Sequence, residues 1–200
     1  MSPTNASLVG AIERGSFGPF VIGTSRQSVG RSLGDPSDAT ITNRSRSSCI
    51  WRYGAIEFHF DNDSLSLIHC DAEDLFDGGQ TLVVDPWKLR RKMPLQELET
   101  ILDAKELHYA GCADRYAPEC FIQFDRGCSL GFIIDPNAGL GSTGLNSWSI
   151  RKEGNREADA HFPTLMASAN SKDKGTPRSP YSSCTRLPDH ELRSMRAHRN

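Results

Sequence analysis

The chain reads CIWRYGAIEFHF over residues 49–60, and this stretch decides the fold. Apolar and polar side chains alternate along it, and aromatic and β-branched residues are frequent, which is typical of β-strands with one buried face. A turn at residues 62–63 follows, and the chain returns as LSLIHC over residues 65–70. The pattern therefore predicts an antiparallel β-hairpin.

The register of this hairpin follows if Phe60 is placed opposite Leu65. The expected cross-strand pairs are Phe60–Leu65, Phe58–Leu67 and Ile56–His69. The buried face would then carry Ile56, Phe58, Phe60, Leu65 and Leu67, and the other face Glu57, His59 and Ser66. In this register His59 and His69 point to opposite faces, so they could not hold one metal ion together.

Two short amphipathic helices are predicted outside the hairpin. Thr24 and Gln27 form a capping box at the start of the first helix. Gly34, followed by Pro36, ends it. Pro94 opens the second helix. The apolar stripes of the two helices are Val29 and Leu33 in the first, and Leu95, Leu98, Ile101 and Leu102 in the second.

The remaining segments are assigned by composition and by short apolar runs. Turn-forming residues dominate residues 35–48 and 135–150, which are predicted as loops. An acidic loop, DAEDLFDGGQ, is predicted over residues 71–80. Short strands are predicted at 81–84 and 107–109, and a second hairpin at 119–124 and 129–134.

The two halves of the chain resemble each other. Val29 and Leu33 match Leu98 and Leu102, and strand 56–61 matches 120–125. We therefore expect an α+β fold of two pseudo-repeats, at about 15–75 and 80–136, each a helix followed by an antiparallel hairpin. Together the repeats would form one sheet with the helices on one face.

Charge and composition divide the chain at about residue 150. Residues 1–150 carry a net charge of −6, and we expect them to form a single domain. Residues 151–200 carry +4 and few large apolar side chains, so we expect a disordered basic tail. Such a tail could stay solvated or dock on the acidic body.

The segment from Gly23 to Pro36, GTSRQSVGRSLGDP, together with the strands of residues 50–60, resembles a known helix–hairpin module. It is similar to the SmpA/OmlA-type outer-membrane assembly lipoproteins. The same unit doubled in tandem resembles the β-lactamase inhibitor proteins, and the combination is similar to immunity-like bacterial proteins. The resemblance implies a binding module and brings no catalytic residues with it.

Several classes of function are not expected. No apolar run approaches the ~20 residues of a membrane span, and the near-neutral charge gives no reason to expect a nucleic acid partner. The N-terminal residues do not read as a secretory signal, so a cytoplasmic location is expected. The six cysteines have no zinc-ligand spacing and are expected as free thiols, with neither metal nor cofactor.

The leading hypothesis is a non-catalytic protein-binding module of intracellular immunity or inhibitor type. Its acidic body would suit a basic protein partner. The candidate partner-binding residues are Trp51, Arg52, Glu57, His59 and Ser66. The alternative is a small hydrolase-type enzyme that uses a histidine, His59 or His108, with a nearby Cys or Asp.

Overall fold

The computed structural model describes residues 2–42, 48–113, 119–133 and 144–152. Within these ranges the helices are α1 (Leu8–Arg14), α2 (Arg26–Leu33) and α3 (Leu95–Asp103). The strands are β1 (Thr4–Ser7), β2 (Ser16–Phe17), β3 (Phe20–Val21), β4 (Asp38–Ile41), β5 (Cys49–Tyr53), β6 (Ile56–Asp61), β7 (Ser64–Cys70), β8 (Leu82–Asp85), β9 (Tyr109–Ala113), β10 (Glu119–Phe124), β11 (Cys128–Ile133) and β12 (Gly144–Arg151). None of the described helices is long and apolar enough to cross a membrane.

Eight of the strands form one antiparallel sheet in the order β4-β5-β6-β7-β12-β11-β10-β9. Strands β7 and β12 therefore meet at its centre, with four strands on each side of their seam. Strands β1 and β8 pair in parallel, and β2 and β3 form a small antiparallel pair. The α+β class expected from the sequence is confirmed.

Helix α2 begins one residue later than the capping box predicts. Ser25 is the N-cap, and its hydroxyl accepts a hydrogen bond from the Ser28 N–H at 3.2 Å. The Thr24 hydroxyl instead donates to the Val21 carbonyl at 2.7 Å and closes the preceding turn. Gly34 ends the helix as expected, with a φ of 74° that favours glycine.

One face of the sheet is buried, and aromatic side chains fill much of it. Phe58 is fully buried, and its ring packs edge-on against Phe20 and Tyr53 at centroid distances of 5.4 and 5.5 Å. Trp148, 1% exposed, packs against Phe17 at 5.2 Å. The edge-to-face contacts of Phe58 add stability beyond the burial of area.

The predicted hairpin forms, but its register changes after the first pair. Phe60 lies opposite Leu65 as expected, whereas Phe58 lies opposite Ile68 because a β-bulge shifts the pairing. Ser66 is the extra residue of this bulge, and its hydroxyl donates to the His59 carbonyl at 3.1 Å. The predicted pairs Phe58–Leu67 and Ile56–His69 are therefore wrong.

The bulge exchanges the two faces of β7 beyond Ser66. Ile68 and Cys70 are fully buried, whereas Leu67 and His69 are only half-buried on the other face. A regular register would have buried the His69 imidazole in the apolar core, which is costly for a polar ring without a partner. The expectation that His59 and His69 point to opposite faces is therefore wrong as well.

Three segments for which the sequence predicts neither a helix nor a strand form regular structure. Strand β4 lies within the predicted loop 35–48, and β12 occupies the end of the predicted loop 135–150. Helix α1 precedes the expected start of the first repeat, although its Leu8 and Ala11 are fully buried. The part of the predicted tail from residue 153 onward lies outside the described residues, while Arg151 is the last residue of β12.

The bulge can be tested with two neighbouring substitutions. Ile68→Ala is expected to lower the free energy of unfolding by about 3 kcal/mol, because it leaves a cavity in a closed core. Leu67→Ala is expected to cost about 1 kcal/mol, because the side chain is half exposed. Urea denaturation of both variants measures the difference. The opposite ranking would indicate the regular register.

Candidate functional site

The second face of the eight-stranded sheet carries half-exposed and exposed side chains, and we call it the open face. One line of directly paired residues crosses this face from one edge of the sheet to the other. We call it the cross-sheet row; its members are Asp38, Arg52, Glu57, His69, Ser149, Ser129, Gln123 and Ala110. Polar side chains from both halves of the chain are thus aligned on one surface.

Charged groups occupy the β4–β7 half of the cross-sheet row. The Arg52 guanidinium donates a hydrogen bond to Glu57 and lies 3.7 Å from Asp38. The His59 imidazole Nε2 lies 3.0 Å from the other Glu57 oxygen. Asp38 also accepts a hydrogen bond from the Ala39 N–H at 2.9 Å, at the outer strand of the sheet. The Glu57 carboxylate therefore joins two side chains and fixes their positions.

The environment of Glu57 shifts its pKa in a definite direction. Partial burial alone would raise the pKa of this carboxyl, because it disfavours the charged form. The hydrogen bonds from Arg52 and His59, together with the positive charge of Arg52, outweigh burial, and the pKa of Glu57 lies below its ordinary value. Glu57 is therefore ionised at neutral pH and stabilised by its neighbours.

His69 is the second imidazole of the open face. Its Nε2 lies 3.6 Å from Asp71 Oδ2, and its strand neighbours across the sheet are Glu57 and Ser149. The sequence pattern predicts His69 on the buried face, because regular alternation carries no mark of a bulge. The sequence offers one indication of the bulge: a shift of the pairing by one residue would bury the apolar Ile68 in place of the polar His69.

Small neutral side chains occupy the central strands. The Ser129 and Ser149 hydroxyls lie 2.7 Å apart in a hydrogen bond, and Ser149 is 5% exposed. Gly131 lies beside Ser147, and a Cβ at this position would collide with the Ser147 hydroxyl and come within 3.0 Å of the Phe121 ring. Glycine therefore allows the Phe121 ring to lie close to β11.

A second, partly apolar line runs beside the charged half of the cross-sheet row. Its paired residues are Thr40, Ile50, His59, Leu67 and Arg151. Ile50 and Leu67 are half-buried on either side of His59. Apolar groups around a charged cluster exclude water from it and strengthen its interactions.

The structure brings together some of the predicted partner-binding residues. Arg52, Glu57 and His59 share the open face, and Ser66 is exposed at the bulge. Trp51 does not join them. Its ring packs against Phe60 on the buried face at 5.3 Å, and α2 lies against it at Gly30.

The thiols do not meet the histidines of the open face. Cys49, Cys70, Cys120 and Cys128 are buried within the described ranges, and Cys49, Cys70 and Cys128 are free thiols there. Burial raises the pKa of Cys70 to about 11 and that of Cys128 to about 12, so both stay protonated and poorly nucleophilic. His108 is exposed on the segment before β9. In the described part of the chain, no three His, Cys, Asp or Glu side chains are grouped to hold a metal ion.

The pH dependence of stability tests the Glu57 network. A carboxyl with a lowered pKa stabilises the fold above its ordinary value of 4.5, and the contribution is lost as the pH falls through the lower folded value. We expect Glu57→Gln to lower the free energy of unfolding by about 1–2 kcal/mol at pH 7. The difference in this free energy between the variant and the wild type should narrow below about pH 4.

Chemical denaturation at pH 7 and pH 3 measures this gap. Glu13→Gln, at an exposed position on α1, serves as the control and should change little at either pH. A gap for Glu57→Gln that is the same at both pH values would contradict the network.

Comparisons with known proteins give one distant likeness. No family model matches this chain, and no curated protein matches it. A solved structure of an extracellular protein containing a SCP domain from Bacillus anthracis is similar over 71% of this chain, at 9% sequence identity and a TM-score of 0.40. The likeness spans about half of that protein, 47% of its chain.

Proposed function

We propose that the open face binds a protein partner and that the chain acts by binding, without chemistry of its own. The observation that carries this proposal is the cross-sheet row, which aligns polar side chains of seven strands on one face. Six of the seven are half-exposed or exposed, and Ser149 is buried among them. An immunity or inhibitor role fits such a module, because both depend on occupying a partner's surface.

The charged network favours binding because it is already ordered. Arg52 and His59 are both held by Glu57, so they lose little conformational freedom when a partner arrives. Arginine is among the residues that contribute most to protein interfaces. Ile50 and Leu67 add apolar area beside the network.

A hydrolase is the second candidate, and one observation favours it. In the cross-sheet row His69 lies between Glu57 and Ser149, which is the order of an acid, a base and a hydroxyl. The Ser149 hydroxyl, however, is bonded to Ser129, and the His69 ring lies nearer Asp71. Turnover of an ester substrate that Ser149→Ala abolishes would support the hydrolase.

We also propose that the body is a tandem repeat in which β4–β7 correspond to β9–β12. Matching hydrogen bonds support it. Gly23 N–H donates to Leu65 O, and Leu65 N–H donates to Thr24 O. In the second half Lys92 N–H donates to Leu145 O, and Leu145 N–H donates to Met93 O. In each half the segment before the helix thus pairs with the start of the last strand.

This correspondence differs by one strand from the one suggested by the sequence, which matched β6 with β10. The symmetric sheet order supports β6 with β11 instead. The buried thiols of Cys49, Cys70 and Cys128, which are free in the described part of the chain, suit a reducing compartment, and we propose a cytoplasmic location.

Affinity capture with the full chain tests the open face. For a partner that the wild type retains, we expect Glu57→Ala/His59→Ala to lower the affinity at least tenfold. The two substitutions remove the carboxylate that holds Arg52 and the imidazole bound to it. Isothermal titration with the purified partner measures the loss, and thermal melting verifies that the variant is folded.

The matched control is Gln27→Ala/Arg31→Ala, which removes a hydrogen-bonded pair from the exposed side of α2. It should bind the partner like the wild type. Equal binding by the open-face variant and the control would exclude the open face as the site.

A further inference from the structure

Six exposed carboxylates surround one end of the sheet, and we call this region the acidic end. Its members are Asp35, Asp38, Asp71, Glu73, Asp74 and Asp77. The turn between β5 and β6 brings their segments together. Ala55 N–H donates to Asp77 O at 2.8 Å, and Ser37 N–H donates to Arg52 O at 2.8 Å. Asp71 directly follows β7 at the same end.

The cations nearest to the acidic end are already engaged. Arg52 lies between Asp38 and Glu57. Arg91 Nη1 donates to the Ala72 carbonyl at 2.7 Å, and so binds backbone rather than a carboxylate. Negative charge therefore exceeds positive charge here, and Glu73, Asp74 and Asp77 have no ion pair within the described part of the chain.

The acidic end is continuous with the cross-sheet row. Asp38 belongs to both, and Asp71 lies beside His69 of the row. Farther along, the row becomes neutral at Ser149, Ser129 and Gln123. Since neighbouring strands lie about 4.8 Å apart, the row is about 34 Å long. One strip of surface is thus flanked by carboxylates along its β4–β7 half and is neutral and polar along the other half.

We infer that the open face takes a protein segment with lysines or arginines clustered at one end and neutral polar residues after them. The cations lie at the acidic end, and the neutral part lies over Ser129 and Gln123, the row residues beyond the buried Ser149. This inference rests on the proposed binding function of the open face. Complementary charge steers such a segment and fixes its direction along the row.

Other occupants fit this surface less well. A divalent cation needs several oxygens on one point, and within the described ranges the acidic side chains do not converge in that way. A second copy of the chain related by a two-fold axis would set against these carboxylates either the same carboxylates or the neutral part of the row, and neither supplies cations. A polypeptide with several separate cations matches the spread of the carboxylates.

Three labelled peptides of twelve residues test the inference by fluorescence anisotropy with the full chain. The first has four lysines at one end followed by serines and glutamines, the second has the same composition with the lysines spread evenly, and the third has glutamates in place of lysines. We expect the first to bind tightest, the third not to bind, and the affinity of the first to fall as salt is added.

Two double variants with equal change of charge locate the contact. Asp71→Asn/Glu73→Gln, at the acidic end, is expected to lower the affinity for the first peptide about three- to tenfold, because two exposed ion pairs are lost. Glu13→Gln/Asp125→Asn, at exposed positions outside the acidic end, is expected to change it less than twofold.

Equal weakening by both double variants would overturn the inference, because binding would then depend on net charge alone. Absence of binding by the first peptide at low salt would overturn it too, as would equal binding of the first two peptides. Displacement by millimolar Mg²⁺ at constant ionic strength would indicate a metal site instead. A captured partner that needs Glu57 and His59 but not Asp71 and Glu73 would leave the proposed function intact and refute the basic segment.

Discussion

One extra residue in a strand determines which side chains meet on the two faces of the sheet. Ser66 forms the bulge in β7, and beyond it Ile68 and Cys70 are buried instead of Leu67 and His69. The same shift sets the pairing between β7 and β12 at the centre of the sheet, where Ile68 lies opposite Ile150 and Cys70 lies opposite Trp148. Without the bulge, apolar residues of β12 would face polar residues of β7, and the two halves could not share one core.

Trp148 connects the seam to the rest of the molecule. Its ring packs on Phe17, and its indole N–H donates to the Leu75 carbonyl at 2.8 Å. This hydrogen bond fastens the acidic loop after β7 to the core at Leu75, in addition to the hydrogen bonds that Arg91 and Ala55 donate to Ala72 O and Asp77 O. Buried tryptophan usually finds such a partner, because an unpaired indole N–H in an apolar core is costly. The loop that carries much of the acidic end thus has a rigid base.

The sequence predicts the regular parts of this fold and misses the irregular ones. Alternation predicts the β6–β7 and β10–β11 hairpins, and apolar stripes predict α2 and α3. Strand β4 is exposed along its whole length, so it has no hydrophobic period to detect. At the candidate site, alternation within each strand is consistent with Arg52, Glu57 and His59 on one face. Alternation also indicates that Trp51, the sequence neighbour of Arg52, lies on the opposite face, since neighbours in a strand face apart. Ser149 could not be predicted, because its position depends on pairing between distant strands.

The hydrogen bond between Asp38 and the Ala39 N–H has a consequence for how the sheet meets other chains. Strand β4 is one of the two edge strands of the sheet, and an edge strand with free N–H groups is a template for pairing with foreign strands. The Asp38 side chain occupies one such N–H and adds a negative charge beside it. Pairing of a foreign strand with β4 is thereby discouraged, so a partner of the open face meets the strands from above rather than extending the sheet at this edge.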